Sequence, residues 1–258
     1  MNYYREDQLG QFRNEKFSFI EIVELNEVFE ITLNRTAKKN AIHPQMLNEL
    51  AFALQYAQNN KRVRVLVLRA KGDVFCSGSD LSAMQGKVDQ HDSSIGEPLK
   101  EVLLVNLWTR FSKPSLAIVE GNVYAGGYLF LACCTYVIAD KSLKFSLPET
   151  RRGIFPMQVM GVLMRVIQPR VLLDWCIRGY KIDTNKAFDW GLVDQICKHD
   201  ELEKSINDWV SSFSENSQRA IEFGLKIYHE HFQDNSKHEK LEKLFREMVE
   251  HNQLSTDF

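Results

Sequence analysis

The sequence predicts an α/β fold, and three observations carry the prediction. Strand-length runs of β-branched and aromatic residues alternate with segments of helical period. Glycine-containing turns sit where strand-like text gives way to helix-like text, and the chain beyond about residue 201 is charged and helical.

The elements follow in order. "FSFIEIVELNEVFEITLNR", Phe17 to Arg35, is a strand, turn and strand broken at Asn26. "HPQMLNELAFALQYAQNN" puts Met46, Leu47, Leu50, Leu54 and Ala57 on one face of a helix, and "VRVLVLRA" is a strand again. A strand, helix and strand of this length imply a parallel pair with a right-handed crossover. "KGDVFCSGSDLSAM" begins as a turn and ends as a helix, and Gly86 to Pro98 is a polar loop. A helix is expected from about Leu99 to Phe111, then the strand "SLAIVEG", the helix "YAGGYLFLACC", and short strands "YVIAD" and "LKFSL". "MQVMGVLMRVI" is helical, and "TNKAFDWGLVDQIC" ends a helix at Gly191 and enters a strand. Two or three helices complete the chain, with Leu241, Leu244, Phe245 and Met248 forming an apolar stripe.

The 44% apolar and 26% charged residues describe a globular chain. A net charge of −2 gives no general attraction for nucleic acid. Five cysteines without a C-x-x-C pair suit reduced thiols and a cytoplasmic setting, and no export signal or membrane-spanning run is visible. No metal site is expected: His229 and His231, two apart, do not share a helix face.

Three stretches could carry chemistry. In "FCSGSD" small residues let a ligand approach the main chain before a helix start, or Asp80 simply caps that helix. In "YAGGYLFL", Gly126 and Gly127 either allow close packing or leave first-turn N–H groups free for an anion. In "SLPETRRGIFP", Glu149 is either a cap, a partner of Arg151 or Arg152, or a carboxylate placed at an element's end.

The ordered motifs "LNRTAKKNAIH", "VFCSGSDLSAM", "VEGNVYAGGYLFLACCTYVIAD", "FSLPETRRGIFP" and "KAFDWGLVDQI" together resemble the crotonase superfamily, the enoyl-CoA hydratases and isomerases, over Phe19 to Ile196. The resemblance implies a ClpP-like spiral of ββα units over residues 1–200 and a helical oligomerisation region over 201–258, assembled as a homotrimer or homohexamer. It implies an acyl-CoA substrate and no separate cofactor, coenzyme A being part of the substrate. Lys38, Lys39 and the main chain at Cys76 would hold the coenzyme A portion, and the N–H groups of Ser79 and Gly126 would form an oxyanion hole for the thioester. Leu129, Tyr128 and Phe155 are placed on the substrate pocket, although the residues alone leave Tyr128 equally open to a core role.

One departure matters. Family hydratases carry two glutamates; the second matches Glu149 and the first falls on Leu129. A leucine can neither orient nor deprotonate water, so this position resembles the 3,2-enoyl-CoA isomerases. The expected reaction is conversion of 3-enoyl-CoA to 2-enoyl-CoA by Glu149 alone. Hydration or dehydration with a substitute group, on a coenzyme A or carrier-protein thioester, and non-catalytic acyl-CoA binding are the alternatives.

Overall fold

The computed structural model describes residues 1–87, 89–232 and 235–254, so Val88 of the expected polar loop and residues 255–258 of the C-terminal region lie outside the described residues. A short helix α1 (Glu6–Leu9) leads into the expected hairpin of β1 (Ile20–Leu25) and β2 (Val28–Leu33). Helix α2 (Pro44–Asn59) then carries the chain over to β3 (Val65–Ala70), which pairs parallel with β2.

From β3 onward the chain repeats one step: a strand in a six-stranded sheet, a short strand in a four-stranded sheet, then a helix. β3 is followed by β4 (Val74–Cys76) and α3 (Leu81–Met84). After α4 (Leu104–Trp108), β5 (Ser115–Val119) is followed by β6 (Asn122–Tyr124) and α5 (Tyr128–Leu131). β7 (Tyr136–Asp140) is followed by β8 (Lys144–Ser146) and α6 (Met157–Leu163). Next come α7 (Pro169–Arg178), β9 (Ile182–Asp183), α8 (Thr184–Asp189) and β10 (Gln195–Cys197), then α9 (Leu202–Ser211), α10 (Gln218–Phe232) and α11 (Asn235–Leu254).

The larger sheet runs β1-β2-β3-β5-β7-β10 and the smaller β4-β6-β8-β9. Among the described residues only β1/β2 and β8/β9 pair antiparallel. All of β5 and nearly all of β3 are buried, as covered parallel strands must be. Leu202 and Ile206 of α9 pack on Val65, Val67, Leu116 and Ile118, while the main core fills the other side.

Two local expectations change. Only Leu104–Trp108 of the segment read as a helix from Leu99 to Phe111 is helical. The Leu99 N–H is engaged instead by the Tyr3 carbonyl at 2.8 Å, and Leu99 is 63% exposed, so its apolar side chain does not join the helical face. The three-residue strands β4 and β6, hidden within stretches read as turn and helix, are the other difference.

Helix α2 is tied to the hairpin by Glu49, a fully buried carboxylate that accepts the N–H groups of Ser18, Phe19 and Ile20 at 2.8, 2.9 and 3.1 Å. Removing it strands three donors in the interior. Replacing Glu49 with Leu is expected to lower unfolding free energy by about 3 kcal/mol or more in urea titration.

Candidate active site

The site is built where three neighbouring parallel strands of the small sheet end. β4, β6 and β8 lie side by side, so the turns that leave their carboxyl ends emerge together, the position at which parallel sheets bind ligands. The turn after β4 contains Ser77 to Asp80, that after β6 contains Ala125 to Gly127, and that after β8 begins at Pro148 and Glu149.

The first two turns touch main chain to main chain. Gly78 has φ 96°, and a Cβ there would lie 2.8 Å from Ala125 Cβ and 2.9 Å from Gly126 N, a separation no side chain survives. A Cβ on Gly126 would lie 3.4 Å from Ser79 N. Ala125 is held at φ 51°, a left-handed conformation that costs a non-glycine residue roughly 1–2 kcal/mol and persists because its neighbours fix it.

Local geometry gives neither N–H group at this contact a backbone acceptor among the described residues. Ser79 bridges Ile42: the Ile42 N–H donates to the Gly78 carbonyl at 2.8 Å and the Asp80 N–H to the Ile42 carbonyl at 3.0 Å. In such a parallel bridge the N–H of Ser79 itself faces the other edge. Gly126 lies in the first turn of the helical segment that continues into α5, where an N–H has no intrahelical acceptor.

Glu149 faces the same small cavity of about 40 Å³, whose walls include Ser79, Gly126, Arg152, Gln158 and Phe245. It is 8% exposed, and its Oε2 atom is buried without a hydrogen-bond partner. Burial pushes its carboxyl up to about 7, opposed by its own N–H and by the charge of Arg152. A carboxylate so placed can both take and return a proton near neutral pH. The small cavity adjoins a larger one of about 580 Å³, sharing Ser79 and Phe245 as walls, with Met84, Val102 and Val249 farther out.

Paired main-chain donors beside one buried carboxylate are the equipment for enolate chemistry on a carbonyl. The family model for enoyl-CoA hydratase/isomerase matches residues 24–257. The chain belongs to the enoyl-CoA hydratase/isomerase family. Its relatives include a mevalonyl-coenzyme A hydratase of Aspergillus fumigatus, 27% identical over 201 residues covering 77% of this chain and 73% of the relative. An enoyl-CoA hydratase of Mycobacterium tuberculosis is 28% identical over 204 residues, 78% of this chain and 76% of the relative. Among solved structures, a carnitinyl-CoA dehydratase from Mycobacterium avium superposes with a TM-score of 0.76 at 21% identity, covering 91% of this chain and 93% of that one. An enoyl-CoA hydratase/isomerase from Mycobacterium paratuberculosis gives 0.69 at 26%, covering 91% of each. The spiral is therefore the crotonase fold of this enoyl-CoA hydratase/isomerase family.

The other residues singled out in the sequence fall in different places. Leu129 is 5% exposed and lines a separate cavity of about 20 Å³ that shares Gln158 with the first. Tyr128 is a core residue, not a wall of either cavity: it is fully buried, and its hydroxyl donates to the carbonyls of Val123 at 3.0 Å and Ser146 at 3.2 Å, bracing β6 against β8. Phe155 is half-buried against the main core, with its N–H on Met248 Sδ at 3.2 Å, and is not on the Glu149 cavity. Lys38 is exposed, its ammonium 4.0 Å from Asp89. Lys39 lies in a left-handed turn with its carbonyl accepting the Ser77 N–H at 3.1 Å. The Cys76 thiol is buried, pushed up to about 12 by burial, and accepts the Gly78 N–H at 3.4 Å, so only its main chain can serve a ligand.

Arg35, Gln158 and Phe245 are site residues the sequence did not announce. Arg35 is buried on the Phe19 ring and donates to the Ala41 carbonyl at 3.0 Å, to Asp80 Oδ2 at 2.7 Å and to Asp89. It thereby ties the chain on both sides of the Ser79 bridge, while Asp80 caps α3 through the N–H groups of Ser82 and Ala83. The only sequence signal was an arginine directly after a strand. Phe245 arrives from α11, a helix whose apolar stripe was visible but whose docking site was not.

Replacing Gly78 with Ala forces the two turns apart. The expected result is a loss of about 100-fold or more in the rate of hydrogen exchange at C2 of a CoA thioester, followed by mass spectrometry in deuterated water.

Proposed function

We propose that the protein moves the double bond of 3-enoyl-CoA thioesters to the 2-position. The observation that carries this is the set of groups on the catalytic cavity: among the described residues Glu149 is its one carboxylate, and the second glutamate of family hydratases is replaced by Leu129. Glu149 takes a proton from C2, the electron pair moves to the thioester oxygen, and the Ser79 and Gly126 N–H groups hold the resulting dienolate. Return of the proton to C4 leaves the double bond between C2 and C3. Lys38, Lys39 and the main chain at Cys76 are assigned to the coenzyme A portion, and no separate cofactor is required by these steps.

Exposed Leu173, Ile177 and Phe188 support self-association, which we propose as a trimer or hexamer. Among the described residues no helix is long and apolar enough to cross a membrane. Hydration is a second reading, supported by Gln158, a polar residue on the wall of the catalytic cavity, and by the hydratase names of the curated relatives.

The test is formation of 2-enoyl-CoA from 3-enoyl-CoA by Glu149→Gln. Turnover should vanish while acyl-CoA binding persists; retained turnover would sink the assignment. In the wild type the rate should rise with pH through about 7, because the base must be ionised.

Stability should move the opposite way. Burial raises the folded-state pKa from the usual 4.5 to about 7, so the folded state keeps a proton that the unfolded chain has already lost. The contribution is present below the unfolded value and is lost as pH rises through about 7. At pH near 8, Glu149→Gln should therefore raise unfolding free energy by on the order of 2–3 kcal/mol in denaturant titration.

A further inference from the structure

The larger cavity of about 580 Å³ is walled in a way that a plain hydrocarbon tail does not explain. Ser79 belongs to its wall and to that of the cavity Glu149 faces, so a thioester carbonyl held at the Ser79 N–H lies at the entrance to this space. Either the acyl group or the coenzyme A portion continues into it, and charge decides which. Asp80, Glu97, Glu101, Glu242 and Glu250 stand on the wall against Lys100 and Arg246. Arg246 is divided between Glu101 at 2.7 Å and Glu242 at 3.0 Å, and Asp80 is held by Arg35 at 2.7 Å. The Lys100 ammonium lies over the Tyr3 ring, 4.7 Å from its centre. Glu97 and Glu250 are exposed and have no cationic partner among the described residues. Such a rim repels phosphates, and Lys38, Lys39 and Cys76 do not line this cavity. The space is left to the acyl group.

A polar group lies deeper in the same wall. Asn48 of α2 is 8% exposed, and its Nδ2 donates to Gln45 Oε1 at 3.2 Å. Its Oδ1 has no hydrogen-bond partner among the described residues and is not one of the polar atoms sealed in the interior, so it borders the cavity that Asn48 lines. The Tyr4 hydroxyl donates to the carbonyls of Asn48 at 3.2 Å and Gly96 at 3.0 Å, which holds the segment carrying Glu97 against α2 beside Asn48. An amide oxygen and an ionised carboxylate only accept hydrogen bonds. An alkyl tail would desolvate both without replacing their water, whereas a cation with N–H groups serves both.

We propose that this cavity receives the acyl group of the thioester and that the acyl group ends in a protonated amine, its N–H groups donating to Asn48 Oδ1 and its charge facing Glu97. Leu47, Met84, Val102 and Val249 cover the carbons between the thioester and the amine. The substrate of the double-bond shift is then an aminoacyl form of 3-enoyl-CoA. This deepens the proposed function and rests on the reading of Ser79 and Gly126 as the holders of the thioester oxygen.

The test uses the full chain and saturated acyl-CoA thioesters of six to ten carbons that end in an ammonium, a methyl or a carboxylate group. Dissociation constants are measured by calorimetry near neutral pH. At the tail length that fits, the ammonium form should bind about tenfold tighter than the methyl form and the carboxylate form weakest, and the preference should shrink with added salt. Glu97→Gln, on the exposed rim, should reduce the preference about fivefold, and Glu97→Lys should turn it toward the carboxylate. Asn48→Asp, of the same shape, should widen it. Hydrogen exchange at C2 of the methyl-ended thioester in deuterated water reports separately on Ser79, Gly126 and Glu149. Ammonium tails that bind no tighter than methyl tails at every length, or a preference unchanged in Glu97→Gln and Asn48→Asp alike, overturn the assignment of the acyl group. Exchange that persists in that case leaves the role of Glu149 standing. Absence of exchange together with absence of any tail preference overturns both.

Discussion

Everything at this site depends on two turns meeting without side chains between them. Strands β4 and β6 are only three residues long and pair directly, so the turns that leave them have nowhere to diverge. Gly78 at φ 96° against Ala125 and Gly126 converts that adjacency into two nearby N–H groups. The remaining parts secure this contact. Arg35 holds the chain on both sides of the Ser79 bridge, and Tyr128 braces the strand beneath Gly126 against the strand that delivers Glu149. Donors fixed in this way need no reorganisation when charge develops on a bound carbonyl, which is the main source of their effect.

The surroundings of Glu149 set what those donors can be used for. An unpartnered Oε2 atom on a buried carboxylate is a destabilising arrangement for a folded protein, and such arrangements cluster where function needs a carboxylate that can carry a proton. Its own N–H and, to a lesser degree, the charge of Arg152 oppose the effect of burial, which leaves the carboxyl at about 7. The same burial that raises the Glu149 carboxyl strengthens any hydrogen bond that the neighbouring N–H groups make across this cavity of about 40 Å³.

Much of this was legible in the sequence, for identifiable reasons. β3, β5 and β7 are apolar runs of ordinary strand length, and α2 has a clean helical period, so the larger sheet could be read directly. β4 and β6 could not: three residues carry no periodicity, and each exists only because its neighbour in space pairs with it. Gly126, Ser79 and Glu149 were picked out by position within motifs, and the structure brings them to one cavity. Tyr128, adjacent in sequence to the same glycines, points instead into the core, since successive residues of a helix face different directions. Arg35, Gln158 and Phe245 reach the site through contacts between distant segments, and no local pattern encodes which wall a helix such as α11 will complete.

The path of α11 gives the site an order of assembly. Ser79, Gly126 and Glu149 belong to segments synthesised well before Phe245, and a nascent chain folds its earlier parts first. α11 packs on α6 at Gly161 and brings Phe245 to the cavity that Glu149 faces. Phe245 completes the wall of the cavity that Glu149 faces, so the helix that leaves the ribosome last also finishes the enclosure of the carboxylate.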